Sequence, residues 1–127
     1  MNAGESLPIL TRRVEPDAMV ALARILHDPN PIHLDPKAAE AAGLGNRVVN
    51  QGPANLAYII DMLTAAFPDH RLAKLDSRYL ANVFGGDVVQ AGGTVTRVEA
   101  PEIECDTWLK GPDGAVAVAA IATLVRR

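Results

Sequence analysis

The sequence predicts an α+β protein that folds as one domain over residues 1–127. Prolines at helix starts and helical spacing of apolar residues dominate the first half of the chain, whereas period-two alternation dominates the second half. A chain of 127 residues that is 49% hydrophobic can bury one core but is too short for two domains. Helices followed by a run of strands are typical of the α+β class.

Three helices are predicted, each with a proline in its first turn, where the missing N–H costs nothing. Pro16 starts the first helix, and Asp35 and Pro36 form the N-cap and first position of the second, which Gly43 ends. Pro53 starts the third. Its apolar residues are Leu56, Ile59, Ile60, Leu63 and Phe67. A helix this apolar must be enclosed, and wrapping by a curved sheet is one way to enclose it.

The strands are predicted at residues 7–14, 78–84, 88–98, 102–110 and 115–125, and the last four are expected to be antiparallel. The clearest alternation places Ile103, Cys105, Thr107 and Leu109 on one face of a half-buried strand. Gly-Pro-Asp-Gly at 111–114 predicts a hairpin turn into the final strand. His70 follows Pro-Asp and is expected in an exposed turn.

Composition excludes several classes of protein. The net charge is −3 and no Lys/Arg run exceeds two residues, which argues against nucleic-acid binding. No apolar stretch reaches membrane-spanning length and no leader segment is evident, so no membrane association is expected. A lone cysteine, Cys105, excludes an internal disulfide and fits a reducing cytoplasm.

Residues 28–33 read Asp-Pro-Asn-Pro-Ile-His and form the strongest candidate for chemistry. Asp28 and His33 lie five residues apart on a segment stiffened by two prolines, which can hold a carboxylate and an imidazole in the fixed geometry that proton transfer requires. Taken alone, one carboxylate and one imidazole in a loop are also explained by turn capping and a hydrogen-bonded histidine. Asn30 is expected to order the loop through side-chain bonds to the backbone. No metal site is expected, because no further ligand accompanies His27, Asp28 and His33.

The ordered pattern Asp-x-Asn-Pro-x-His, followed by Val-Val-Asn-Gln-Gly at 48–52, resembles the motif of the MaoC-like (R)-specific enoyl-CoA hydratases. The resemblance implies a hot-dog fold, in which an antiparallel sheet wraps a long buried helix. It implies that Asp28 is the general base toward a water molecule and that His33 positions the same water and shares the proton transfer. It also implies that the Gly52 N–H binds the thioester carbonyl, although Gln51 replaces the histidine usual in the family.

The implied activity is hydration of a trans-2-enoyl thioester or the reverse dehydration. No cofactor is implied beyond the coenzyme A or acyl carrier protein that is part of the substrate. Two alternatives remain: a hot-dog thioesterase that directs water at the carbonyl, and a non-catalytic partner subunit, which would be expected to lack Asp28 or His33. Hot-dog proteins usually pair their sheets edge to edge, so a homodimer or a heteromer with a related hot-dog subunit is expected.

Overall fold

The computed structural model describes residues 1–127 and contains five strands and three α-helices. In chain order they are β1 (Leu10–Arg13), α1 (Pro16–Leu26), α2 (Pro36–Ala41), α3 (Gly52–Ala66), β2 (His70–Tyr79), β3 (Val88–Glu99), β4 (Glu102–Lys110) and β5 (Val116–Arg126). A short 3₁₀ turn, Pro31–His33, lies between α1 and α2. All three α-helices carry a proline in the first turn, as predicted.

The strands form one antiparallel sheet in the order β1-β3-β4-β5-β2. The predicted turn at 111–114 joins β4 to β5, with the Gly111 N–H donating to the Ala115 carbonyl and Asp113 Oδ1 accepting the Ala115 N–H. Strand β2 follows α3 in the chain but pairs with the last strand, which places β1 and β2 at the two edges. The α+β class and the hot-dog arrangement are therefore confirmed.

The core lies between α3 and the sheet. Ile59, Met62 and Leu63 of α3 are buried, together with Val95 of β3 and Cys105 of β4. Strand β4 alternates as predicted, and burial of Cys105 removes it from water completely. The enclosure of α3 is less complete than predicted, because Ile60 is 37% exposed in the single chain. None of the helices has the length and apolar character needed to span a membrane.

The strand predicted at 78–84 is wrong. Strand β2 instead occupies His70–Tyr79, and residues 80–87 connect it to β3. The register of β2 against β5 shifts between Leu72 and Lys74, so the half-buried Leu72 and Leu75 are three residues apart. This bulge breaks the alternation on which the sequence-based prediction of strands depends.

Two smaller expectations also change. His70 does not lie in an exposed turn; it starts β2, is partly buried, and contacts the ring of Phe67 edge-on at a centroid distance of 5.7 Å. The strand predicted at 7–14 is regular only over Leu10–Arg13. Ahead of it the chain still follows β3, because the Leu7 N–H donates to the Gly93 carbonyl.

Candidate active site

The loop that carries Asp28 is shaped by the end of α1. His27 adopts the left-handed conformation with φ of 51°, and the Asp28 N–H donates to the Ala23 carbonyl at 3.0 Å. This hydrogen bond ends α1, and the left-handed conformation of His27 turns the chain sharply away from the helix axis. Asp28 is therefore fixed at the first position beyond the turn.

Side chains within the loop order its backbone. Asp28 Oδ1 accepts the Asn30 N–H at 3.1 Å, and Asn30 Oδ1 accepts the Ile32 N–H at 3.3 Å. The second of these bonds caps the 3₁₀ turn that begins at Pro31. Because Oδ1 of Asp28 is engaged in this way, Oδ2 is the oxygen that is left to act on a ligand.

His33 is anchored to the segment that precedes α3. Its Nδ1 lies 2.6 Å from the Val49 carbonyl oxygen, and the Val49 N–H donates to the Ile32 carbonyl at 2.9 Å. A carbonyl can only accept, so Nδ1 carries the proton and, in the neutral imidazole, Nε2 presents a lone pair. The ring is thus held in one orientation and one tautomer.

The two groups face each other across a short gap. His33 Nε2 lies 3.5 Å from Asp28 Oδ2, and the side chains are 11% and 34% exposed, respectively. With a neutral imidazole both atoms are acceptors, so a water molecule that donates one hydrogen to each would satisfy both. The arrangement can hold and polarise a water molecule at a half-open surface.

Gly52 begins α3 and provides an open backbone donor. Its N–H has no acceptor in the structure, while the Asn55 N–H closes the first helical turn on the Gln51 carbonyl. Pro53 has no N–H to offer. The N-terminus of a fifteen-residue helix carries partial positive charge, so this N–H suits an oxygen that gains negative charge.

A buried polar cluster holds the start of α3 in place. Asn50 donates to Asn55 Oδ1 at 2.7 Å, and Gln51 Nε2 donates to the Met19 carbonyl at 2.8 Å. Gln51, at the position where a histidine was expected from the resemblance, is 1% exposed and ties α3 to α1. Burial raises the pKa of the neighbouring Tyr58, against a lowering by its hydrogen bond with Asn50.

The acid/base loop and the start of α3 belong to one connected unit. Val49, which holds His33, is three residues before Gly52, and the Asn50 N–H next to it donates to the Val83 carbonyl. The structure therefore brings the three predicted site residues onto two segments that are hydrogen bonded to each other. Asn30 lies between Asp28 and His33 and forms its bonds within the loop.

Asp28 also lies on the wall of an open groove of about 610 Å³ beside α1. The groove is lined by Val20, Ala23, Arg24, His27, Asp28, Pro29 and Leu34. A second groove, of about 520 Å³, lies against β2, β4 and β5 and contains none of the predicted site residues. No group of three or more His, Cys, Asp or Glu side chains has the arrangement that a metal ion needs.

Two contributors to this site were missed by the sequence-based prediction. The Val49 carbonyl orients His33, but a backbone oxygen leaves no signal in a sequence. Tyr79 lies against Gly52, with its ring and hydroxyl 3.1–3.2 Å from the position that a Cβ on Gly52 would occupy. Position 79 falls within the strand predicted at 78–84, but no sequence signal relates it to position 52, so the contact is visible only in the structure.

The fold is that of a hot-dog protein, and it holds Asp28 and His33 on a loop that is hydrogen bonded to the segment before its long helix. The MaoC like domain family matches residues 3–106, which is most of the chain, and the protein belongs to that family. No curated protein matches the sequence.

Solved structures agree on the fold. An (R)-hydratase from A. caviae involved in PHA biosynthesis superposes with a TM-score of 0.92 at 24% identity, covering 100% of this chain and 98% of that chain. The ChsH1-ChsH2 complex from Mycobacterium tuberculosis gives 0.88 at 22% identity, covering 100% and 99%. The HadBC 3R-hydroxyacyl-ACP dehydratase complex from the same organism gives 0.80 at 16% identity, covering 97% and 96%. At these identities the likeness establishes the fold.

Proposed function

We propose that this chain hydrates a trans-2-enoyl thioester to the (R)-3-hydroxyacyl thioester, or catalyses the reverse dehydration, with Asp28 and His33 as its acid/base pair. The observation that supports this most directly is the 3.5 Å approach of Asp28 Oδ2 to His33 Nε2. The opposite ring nitrogen of His33 is occupied by the Val49 carbonyl. Membership of a family of dehydratases fits the same chemistry.

In this mechanism a water molecule donates one hydrogen bond to Asp28 and one to His33. Asp28 accepts a proton as the water oxygen bonds to C3 of the substrate, and the C2–C3 double bond shifts its electrons toward the thioester. A proton is then returned from the pair to C2, so that the net change is addition of one water molecule. A positioned acid/base group contributes a factor of about 10² to 10⁴ to such a reaction.

The developing enolate places negative charge on the thioester oxygen. The Gly52 N–H at the start of α3 is the donor that would receive it, and the helix dipole favours the same charge. Glycine at this position leaves the backbone accessible, so a carbonyl oxygen can reach hydrogen-bonding distance of the N–H. Oxyanion donors of this type are commonly worth a factor of about 10² to 10³ in turnover.

Coenzyme A or acyl carrier protein is part of the thioester substrate. The proposed chemistry requires neither a metal ion nor a redox cofactor. Proton transfer between water, two side chains and a carbon atom completes the reaction.

We further propose that a second hot-dog chain, either a copy of this one or a related subunit, pairs with the edge strand β2. That strand is ten residues long and is paired only on the β5 side, and long unpaired edges favour association.

The test is loss of the enoyl-thioester ultraviolet absorbance with crotonyl-CoA and with a longer enoyl-CoA. Wild type is compared with Asp28→Asn and His33→Ala, and Asp17→Asn, an exposed carboxylate in the first turn of α1, is the matched control. Activity in wild type and the control that falls at least 100-fold in both site variants supports the proposal. The product should be 3-hydroxyacyl-CoA of R configuration.

The same assay separates the alternatives. Release of free thiol without 3-hydroxyacyl product would replace the hydratase with a thioesterase, in which Asp28 directs water at the carbonyl. Absence of turnover by folded protein at every chain length, with activity restored by a related hot-dog subunit, would identify a partner subunit. The second outcome is relevant because the structural relatives include the two-subunit ChsH1-ChsH2 and HadBC complexes.

A further inference from the structure

Tyr79 packs beside Gly52 at the start of α3, on the side where a side chain would lie. A Cβ built on Gly52 would lie 3.1 Å from Cζ of Tyr79, 3.2 Å from Cε1 and 3.2 Å from the hydroxyl oxygen. The contact is therefore made by the phenol end of the ring, at the position where a side chain on Gly52 would begin. The space into which any larger side chain at position 52 would extend is already filled by Tyr79.

The backbone of Tyr79 is held by the sheet, and this sets the position of its side chain. Tyr79 ends β2 opposite Val118 of β5, and the N–H groups of the next two residues both donate to the Ala117 carbonyl. The residue is 53% exposed. A ring anchored in this way maintains its position over Gly52, and its replacement removes no core packing.

We propose that Tyr79 is a specificity-determining residue, whose phenol ring restricts the space beside the thioester carbonyl at Gly52. This inference rests on the proposed function, because it takes the Gly52 N–H as the group that binds the carbonyl. A substrate whose carbonyl oxygen reaches that N–H must lie next to the phenol end of Tyr79.

The thioester carbonyl carbon is bonded to the sulfur atom and to C2, and only C2 differs in its substituents from one substrate to another. The sulfur is the same in every thioester, whereas C2 carries either hydrogen or a branch. A ring that restricts space at the carbonyl therefore discriminates against acyl groups branched at C2. One misplaced methyl group in a confined site changes specificity by a factor of about 10 to 200.

The test compares crotonyl-CoA with its 2-methyl derivative, tiglyl-CoA, in wild type, Tyr79→Phe and Tyr79→Ala. The measured quantity is the ratio of kcat/KM for the two substrates, in which the intrinsic reactivity of each substrate cancels between variants. Leu80→Ala is the matched control, since Leu80 follows Tyr79 in the chain and is 54% exposed. Thermal unfolding is recorded for all four proteins.

We expect Tyr79→Ala to shift the ratio toward tiglyl-CoA by about tenfold or more, while Tyr79→Phe and Leu80→Ala leave it within about twofold of wild type. A merely structural role would lower turnover of both substrates together. A ratio that does not move in Tyr79→Ala overturns the proposal. A tenfold fall in kcat for Tyr79→Phe at constant ratio also overturns it, because the hydroxyl would then act on the reaction itself.

Binding separates this inference from the proposed function. Calorimetric Kd values for butyryl-CoA and 2-methylbutyryl-CoA, which cannot be hydrated, are measured on the same variants. If wild type shows no turnover but binds butyryl-CoA selectively, and Tyr79→Ala loses that selectivity, the role of Tyr79 stands and hydration is rejected. If the full chain neither binds nor turns over any of the four thioesters, both proposals are rejected.

Discussion

Nδ1 of His33 lies 2.6 Å from the carbonyl oxygen of Val49, sixteen residues further along the chain. This bond determines which nitrogen of the imidazole carries the proton and which one faces Asp28. Val49 is also three residues before the start of α3. The orientation of the proposed acid/base pair therefore depends on the same segment that positions the Gly52 N–H.

Replacement of His33 by asparagine separates the roles of its two ring nitrogens. Asparagine retains an N–H near the position of Nδ1 that can donate to the Val49 carbonyl, but it has no counterpart of Nε2. We expect His33→Asn to lower kcat with crotonyl-CoA by about 10² to 10⁴ while thermal unfolding stays near wild type. His33→Ala should lose as much activity and also destabilise the fold by about 1 kcal/mol. Activity of His33→Asn within tenfold of wild type would remove Nε2 from the mechanism.

The elements that the sequence predicts best are those with local signals. A proline in the first turn marks all three helices, and strict alternation marks β4, which has the bounds predicted for it. The loop at residues 28–33 is likewise local, since the hydrogen bonds that the Asp28 and Asn30 side chains accept from backbone N–H groups reach only two residues along the chain. These features depend on neighbouring residues, so they can be predicted from the sequence without knowledge of the fold.

The features that the sequence does not predict depend on distant contacts. A bulge in β2 hides its alternation, and Lys74, Asp76 and Arg78 give the strand a charged composition. The Val49 carbonyl reaches His33, and the ring of Tyr79 reaches Gly52, through contacts between residues that are far apart in the chain. No spacing rule connects position 79 to position 52, so this contact required the structure.

Gly93 in β3 has no room for a side chain. A Cβ at this position would lie 2.1 Å from the carbonyl oxygen of Asp106 and 3.0 Å from the Cα of Thr107, both in the backbone of β4. Gly93→Ala must push two paired strands apart and is expected to destabilise the protein by about 3 kcal/mol or more. Gly111→Ala is the control, since its Cβ meets only Asp113 Oδ1 at 3.4 Å. Equal urea midpoints for the two variants would contradict the prediction.

His27 carries backbone strain next to the proposed base. Its φ of 51° is the left-handed conformation that glycine adopts without a Cβ penalty. His27→Gly should therefore stabilise the fold by about 0.5 to 1 kcal/mol, since the relief of strain exceeds the added entropy of the unfolded chain. His27→Ala keeps the Cβ and is expected to bring no gain. A urea titration of both variants checks this, and a loss of stability in His27→Gly would count against it.

Asp87 is a buried carboxylate immediately before β3. Its side chain is 7% exposed, its Oδ1 pairs with Arg47 at 2.7 Å, and its Oδ2 accepts the Phe84 N–H at 3.0 Å. Asp87→Asn replaces one acceptor by a donor that faces another donor, so we expect a loss of about 2 kcal/mol. Glu99→Gln alters an exposed pair with Arg97 and should leave the unfolding midpoint unchanged. Equal effects of the two substitutions would refute the distinction between buried and exposed pairs.

Cys105 links burial to pH dependence. Burial, together with the nearby Asp106 and Glu104, raises the pKa of its thiol from 9.0 to about 11. The thiol of the unfolded chain loses its proton at a lower pH than the thiol of the folded chain. Its contribution to the free energy of unfolding is therefore fully present below pH 9 and decreases as the pH rises toward 11. Cys105→Ala should remove this pH dependence. It is measured as the change, between pH 8 and pH 10.5, in the difference between the urea midpoints of wild type and the variant.

Because the Cys105 thiol is inaccessible, native protein should also react slowly with iodoacetamide at pH 8 and rapidly after unfolding. Rapid labelling of the native protein would show that the β4 position is open to solvent.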